Sequence, residues 1–318
     1  VVSLDSLDRR LIHALQLDGR APFSRIAAVL GASDRTVARR YLRLRSSGAL
    51  RVLGLTSARA LGQTEWFVRL QCAPDAAAQV AAALARRPDT SWVSLTSGGT
   101  EVTCITRTGG RSEAESLLLR KLPRTPRIVG VTAHCLLRVV AGDTGWAGRT
   151  SALTADEVAG LRWEAHPDGT GTPLTEADSR MLAVLRSDGR ADIPSLAKAA
   201  GWSESSTRRR LDRLRHNGLL YFDIDLDALL FGYHTEAILW LTVAPGSLTA
   251  VAEALAGHEE IAFAAATTGR SNLFAFAVCR DTEALYDYLA NRLGPLPGLT
   301  AVETAPVIRR DKRAVLPL

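Results

Sequence analysis

Lysine is nearly missing from this 318-residue chain, with three beside thirty-six arginines. Cysteine is sparse too: Cys72, Cys104, Cys135 and Cys279 include no C-x-x-C pair. That pattern excludes a disulfide framework and a zinc site of paired ligands, and it fits reduced thiols in the cytoplasm. No apolar run approaches the ~18 residues that cross a bilayer, and no leader resembling a signal peptide opens the sequence. A cytoplasmic, nucleoid-associated protein with no membrane partner is expected. The six histidines (His13, His134, His166, His216, His234, His258) are scattered, none beside a second ligand at metal spacing. Ser203-Glu204-Ser205 reads as a helix cap, because a nucleophile elbow needs G-x-S-x-G. Gly98-Gly99 lacks the third glycine and following helix of a dinucleotide fingerprint. No metal, no cofactor and no enzymatic activity are therefore expected.

What the chain does contain is itself, twice. A shift of 170 positions lays Asp8 on Asp178, Leu15 on Leu185, and Asp18-Gly-Arg-Ala21 on Asp188-Gly-Arg-Ala191. It also lays Gly31 on Gly201, Ser33 on Ser203, Arg39-Arg40 on Arg209-Arg210, and Gly48 on Gly218. Further on the offset is 171, matching Pro74 to Pro245 and Gly98 to Gly269. A period this long is a duplicated multi-domain unit rather than a solenoid repeat.

Each copy opens with a helical triplet. Asp5 and Thr175 cap the first helix, each with an acid three residues on (Asp8, Asp178), as in a capping box. The helix stops at Asp-Gly, a short second helix follows (24–30; 194–200), and Ser33 or Ser203 caps the third (34–46; 204–216). A strand at 50–55 is expected to form a wing. Beyond each triplet the pattern reads strand, helix, two strands about a glycine turn, helix, strand. The first copy has these at 66–72, 76–86, 91–97, 100–106, 113–121 and 128–139. The second has them at 237–243, 248–256, 262–268, 271–278, 282–293 and 300–308. That βαββαβ order is ferredoxin-like. The expected class is α+β, with winged helix-turn-helix domains at 1–60 and 174–230 and ferredoxin-like domains at 61–141 and 231–318. A Gly/Thr/Asp/Pro-rich linker joins them at 142–173, and its short helix at 155–162 is expected to dock on the first sheet.

The formal net charge of +6 is unevenly spread. Residues 1–52 hold ten Arg against four Asp, and 174–222 hold nine Lys or Arg against six acids. Codon bias accounts for arginine over lysine but not for this clustering, which suits a phosphate partner. On the third helix Val37, Tyr41 and Leu44 share one face, and Thr36, Arg39, Arg40 and Arg43 another. The second copy sets Thr207, Leu211 and Leu214 against Ser206, Arg209, Arg210 and Arg213. A major groove admits a helix, arginine pairs two-point with guanine, and hydroxyls at a helix start suit phosphate. With Arg35 and Ser205 at the helix starts, these residues are the candidate contacts to double-stranded DNA. The bland reading, a solvated cationic face, explains one such helix better than two matched ones. The copies differ at Arg35/Ser205, Thr36/Ser206 and Ala38/Arg208, so an imperfect palindrome is the expected target.

These residues resemble the Lrp/AsnC (feast/famine) family of transcription regulators. The likeness rests on Leu4-Asp-Ser-Leu-Asp-Arg-Arg-Leu-Ile12, on Asp18-Gly-Arg20, and on Ser33, Thr36-Val37, Arg40, Arg43-Leu44 and Gly48. The Leu61-Gly62 and Phe231-Gly232 pairs extend it, so that it covers nearly the whole chain twice, apart from the linker. It implies a DNA-binding regulator whose sheet domain pairs with a second copy, binds a small effector such as an amino acid or other metabolite, and builds larger homo-oligomers. Here the pairing partner lies in the same chain, an intramolecular pseudo-dimer. The family's effector loop reads Thr-Gly-x-Tyr-Asp. Its counterparts are Ser97-Gly98-Gly99-Thr100-Glu101 and Thr268-Gly269-Arg270-Ser271-Asn272, which keep the glycine and lose the Tyr-Asp pair. These ten residues are the candidate effector site, against the plainer reading of a tight turn. Sirohaem decarboxylases also resemble this double architecture, and Gly232-Tyr233-His234 before Ala237–Trp240 is similar to their sequence. Their Arg-His-Arg stretch is absent, its place taken by Asp227-Ala-Leu-Leu-Phe231. A third reading, an assembly protein with vestigial helix-turn-helix units, predicts no DNA affinity at low salt.

Overall fold

A computed structural model of the protein describes residues 3–73, 75–109, 122, 124–142, 146, 151–167 and 173–314. The helix expected at 113–121 and residues 168–172 of the linker lie outside the described residues. In chain order the first copy forms α1 (Ser6–Leu17), α2 (Phe23–Leu30), α3 (Asp34–Ser46) and β1 (Leu50–Thr56). It continues with β2 (Thr64–Cys72), α4 (Ala77–Ala85), β3 (Thr90–Thr96), β4 (Glu101–Thr108) and β5 (Ile128–Ala141). A short helix, α5 (Ala155–Leu161), follows. The second copy forms α6 (Glu176–Ser187), α7 (Ile193–Ala200), α8 (Glu204–His216) and β6 (Leu220–Leu226). Then come β7 (Thr235–Val243), α9 (Leu248–Ala256), β8 (Ile261–Thr267), β9 (Leu273–Cys279), α10 (Thr282–Asp287, extended by a π-helical turn) and β10 (Leu299–Arg310). The copies sort by kind into two compact units: Val1–Leu61 with Arg149–Leu230, and Gly62–Gly148 with Phe231–Leu318.

In the helical unit both capping boxes form, Asp5 with Asp8 and Thr175 with Asp178. Each satisfies otherwise orphaned N–H groups at a helix start. Gly31 and Gly201 end α2 and α7 in the left-handed region, which turns the chain into the third helix. The apolar stripes meet in a core that includes Leu11, Leu15, Ile26 and Leu44 in the first copy, and Met181, Leu185, Leu196 and Leu214 in the second.

The strand expected to be a wing does something else. β1 pairs antiparallel with β6, from Leu50 opposite Leu226 to Thr56 opposite Leu220, and Leu53 sits opposite its own repeat counterpart, Asp223. A lone strand leaves its ladder groups unmade, and the second copy supplies the complementary edge. Arginines clasp the two copies reciprocally. Arg20 donates to the carbonyls of Gly189 (2.8 Å) and Ala191 (2.9 Å), and Arg190 to those of Gly19 (2.7 Å) and Ala21 (3.0 Å). Burial, with Arg190 and Arg215 nearby, pushes Arg20 down to about 10, so it stays charged at neutral pH. The ion pairs Arg45–Asp188 (2.7 Å) and Arg215–Asp18 (2.8 Å) complete the seam.

α5 docks on α1 and α2 rather than on the first sheet. Glu157 pairs with Arg10 (2.5 Å), the Leu153 N–H donates to His13 Nδ1 (3.2 Å), and Arg25 donates to the Gly160 carbonyl (2.7 Å). Leu161 is fully buried.

In the sheet unit each copy has the ferredoxin-like strand order, β3-β4-β2-β5 and β8-β9-β7-β10. The last strand of each copy pairs with the second strand of the other, β5 with β8 and β10 with β3, which closes an eight-stranded barrel. Each copy thereby covers both open edges of the other. Alternate residues face two ways. Val68, Leu70 and Val102 pack under α4, and Leu239, Leu241 and Leu273 under α9. Phe67, Ile105, Ile238, Trp240, Phe274 and Ala305 fill the space between the copies.

Candidate nucleic-acid interface

The third helix of each copy presents two distinct faces. Val37, Tyr41 and Leu44 are buried on α3, as are Thr207, Leu211 and Leu214 on α8, matching the inward stripe read from the sequence. Ser33 accepts from the Thr36 N–H (3.1 Å) and Ser203 from the Ser206 N–H (3.2 Å), anchoring both N-termini. The hydroxyls of Thr36 and Ser206 turn back to the same caps, at 2.9 and 3.0 Å, and Ser205 lies 3.1 Å from Ser203.

The outward arginines divide into two groups. Arg40 reaches across to α1, donating to Asp8 Oδ1 (2.9 Å) and Asp5 Oδ2 (2.6 Å), while Arg43 meets Asp8 Oδ2 (2.5 Å). Arg210 grips both oxygens of Asp178 (2.7 Å each) and the Pro173 carbonyl (2.8 Å). Asp8 and Asp178 are fully buried, so these arginines neutralise carboxylates that water cannot reach. The hydrogen bonds it donates to Asp5 and Asp8 raise Arg40 above its ordinary value, and those donated to Asp178 raise Arg210. Burial pushes the Asp178 carboxyl up, but the bonds from Arg210 and Thr175 outweigh it and hold the group below the usual carboxylate range. Arg35, Arg39, Arg208, Arg209 and Arg213 are exposed, and among the described residues they form no ion pair. Sequence reasoning set Arg40, Arg43 and Arg210 level with the others, and it noted Arg208 as a difference between the copies without counting it among the contacts. The signal for the first group was the acid at the third position of the first helix, which spacing marks as a cap and only packing marks as an arginine's partner.

The two loops proposed for an effector are held from within. Ser97–Gly99 make a tight turn in which Gly98 has φ +68. Glu101 is buried, accepts from Ser97 Oγ (2.9 Å) and Thr96 Oγ1 (3.2 Å), and pairs with Arg69 (2.7 Å). Thr100 donates to the Ser97 carbonyl (2.9 Å). In the second copy Thr268 accepts from the Cys135 N–H (2.9 Å), and its carbonyl accepts from His134 Nδ1 (2.7 Å). Gly269 has φ +111, and a Cβ there would lie 2.5 Å from the His134 ring. Asn272 takes both backbone groups of Val243, and the Ser271 carbonyl accepts from Thr267. The Arg270 carbonyl lies 3.4 Å from Thr242 Oγ1, and its side chain is exposed.

Comparison with known proteins bears on the whole arrangement. The AsnC-type helix-turn-helix domain matches residues 4–45 and again 174–215, and the Lrp/AsnC ligand binding domain matches 236–316, together more than half of the chain. The chain belongs to the Lrp/AsnC family. Among the curated members, the HTH-type transcriptional regulator FL11 of Pyrococcus horikoshii is 29% identical over 141 residues, covering 44% of this chain and 93% of that protein. The HTH-type transcriptional regulator LrpA of the same organism is 29% identical over 140 residues, covering 44% and 99%. One such regulator thus corresponds to one half of this Lrp/AsnC protein.

The full tandem arrangement has a solved counterpart. The siroheme decarboxylase NirDL aligns over 98% of this chain and 94% of its own, with a TM-score of 0.69 and 16% identity. A second structure of NirDL, in co-complex with an iron-uroporphyrin III analogue, gives 0.68 and 17%. At that identity the likeness establishes the fold. It nonetheless overturns the expectation that the chain is not an enzyme, because that expectation rested on motif absence and an enzyme carries this entire architecture. Among the described residues no helix is long and apolar enough to cross a membrane.

Proposed function

We propose that this Lrp/AsnC protein is a sequence-specific DNA-binding transcription regulator that reads its operator with α3 and α8. The observation that carries this reading is the pair of capped third helices, each packed on one side and exposing arginines without an internal ion pair on the other. Arg35 and Arg39 on the first helix, and Arg208, Arg209 and Arg213 on the second, are the groups available to phosphates and base edges. Thr36, Ser205 and Ser206 lie at the helix starts, where phosphate is favoured. Arg40, Arg43 and Arg210 support the surface by holding it against the first helix of each triplet. Two heads on one chain suit half-sites about 34 Å apart, and their different N-terminal residues suit an imperfect palindrome. The sheet unit would take an amino acid or related metabolite near the Ser97–Glu101 and Thr268–Asn272 loops. Chains would assemble further on DNA in the cytoplasm.

The test is binding of the full chain to genomic promoter fragments over a salt series. Arg39→Ala and Arg209→Ala should each weaken binding and lower the salt slope by about one unit. Footprints should show two unequal half-sites. A double variant that binds every fragment as tightly as the parent, with an unchanged slope, would overturn the reading.

A second reading rests on the NirDL alignment: a tetrapyrrole enzyme on the same scaffold. Added siroheme should then give a bound spectrum and a product lighter by one carbon dioxide for each carboxyl group replaced by hydrogen. Siroheme binding without DNA affinity would favour it.

A further inference from the structure

Among the apolar side chains between the two sheets sits a charged cluster centred on Arg69, and there the copies differ in kind. Arg69 on β2 projects from the first copy, and its repeat counterpart is Trp240 on β7. The two counterparts touch: the Arg69 guanidinium carbon lies 3.7 Å from the centre of the Trp240 ring. Arg69 also donates in two-point fashion to Glu303 on β10 (2.6 and 3.1 Å) and to Glu101 on β4 (2.7 Å). Trp240 stands directly opposite Glu303 in the β7–β10 ladder. The counterpart of Glu303 is Thr132, and that of Glu101 is Asn272. One copy therefore supplies a cation and one carboxylate, the other an aromatic face and a second carboxylate. Side chains that meet their own counterparts lie at the pseudo-two-fold axis, where self-pairing would bring identical groups together.

Pairing of first copies would set Arg69 on Arg69, each keeping its own Glu101 but losing Glu303 and the Trp240 ring, so that two guanidinium groups meet where one sits on an aromatic face now. Pairing of second copies would set Trp240 on Trp240 and leave Glu303 without its arginine. The helical unit carries a second, separate asymmetry on its own axis. Leu53 faces Asp223, and Arg51 faces Asp225. Self-pairing of second copies would there place Asp223 opposite Asp223, a destabilising cross-strand pair.

We infer that the two halves are obligate complements, each built to pair with the other and not with itself, with Arg69, Trp240, Glu303 and Asp223 setting the choice. The reciprocal Arg20 and Arg190 clasps supply attraction that either pairing would keep, and the unlike residues on the axes supply the discrimination. The inference stands whether or not the chain binds DNA. If it does, every assembly unit carries one reading helix of each kind.

The experiment uses the whole chain, cut once after purification at a protease site placed between Pro167 and Pro173. One preparation carries tag A on its first half, and the other carries tag B on its first half and tag C on its second. The two are mixed in denaturant and refolded together, and species with the mass of one first half plus one partner half are isolated by gel filtration and captured on tag A. The expected result is recovery of tag C, which reports exchange, with no tag B. Tag B recovered in amounts comparable to tag C would overturn the proposal.

If the cut halves do not exchange, the uncut chain decides through its thermal unfolding midpoint. Arg69→Trp and Trp240→Arg should each lower it. The swap of both, which restores one arginine on one tryptophan beside Glu303, should recover at least half of the loss. A swap as damaging as the two single changes added together would contradict the inference.

Discussion

A single buried carboxylate shows how much one residue is asked to do. Asp178 closes the capping box on the Thr175 N–H (2.7 Å) and takes both arms of Arg210. Spacing alone identifies the cap, because the partner is three residues away. The ion pair joins residues 32 apart and becomes visible only when α6 and α8 pack. Removing the arginine leaves a carboxylate that water cannot reach. Arg210→Ala should therefore cost about 3 kcal/mol of stability, and Arg40→Ala less, because Arg43 still pairs with Asp8, both read as a lower urea midpoint at unchanged m-value. The pH dependence has a definite sign. A folded-state value below the ordinary 3.8 of Asp178 stabilises the fold above that pH, and the contribution is lost as acid protonates the carboxyl. Asp178→Asn should lower stability at neutral pH and flatten its fall between about pH 5 and pH 2.5, measured by thermal melts across that range.

At the scale of elements, local pattern located the helices well and their neighbours poorly. The capped starts, the glycine stops and the buried stripes of α1–α3 and α6–α8 follow from spacing within one turn. The partner of β1 does not, since any β-prone strand offers the same edge groups. Close approach then makes small residues necessary. A Cβ on Gly189 would lie 2.9 Å from both the Leu53 carbonyl carbon and Val52 Cγ1. Gly189→Ala should cost roughly 1–3 kcal/mol by forcing the copies apart, visible as lower protection of β1 and β6 amides in hydrogen exchange. The docking of α5 carries its own pH sensitivity. Burial lowers His13 below its ordinary 6.5, against the raising effect of Glu157, and its Nδ1 accepts the Leu153 N–H. Protonation would remove that acceptor. Stability from this contact is complete above about pH 6.5 and lost as pH falls below it. His13→Gln should flatten the change in α5 amide exchange between about pH 7.5 and pH 5.5; an unchanged profile would remove His13 from the account.

For the whole molecule, the arrangement of copies outweighs any one site. Each ferredoxin-like sheet has two open edges, and the second copy covers both, so the two sheets make one closed barrel. A whole-molecule prediction follows for the proposed regulator: loss of Arg39 or Arg209 alone should weaken one half of a footprint more than the other, because the heads are not equivalent. Equal weakening of both halves by either change would argue for cooperative rather than separate reading. The sequence by itself determined the repeat, the two capped triplets, the βαββαβ order and the family, because periodicity, caps and turn glycines act over a few residues. The tertiary structure decided which arginines are spent on buried aspartates, where β1 and α5 find partners, and which unlike side chains meet on the pseudo-two-fold axes. Those outcomes depend on residues 30 to more than 200 positions apart, and their energies come from burial and charge neutralisation that exist only once distant elements are packed together.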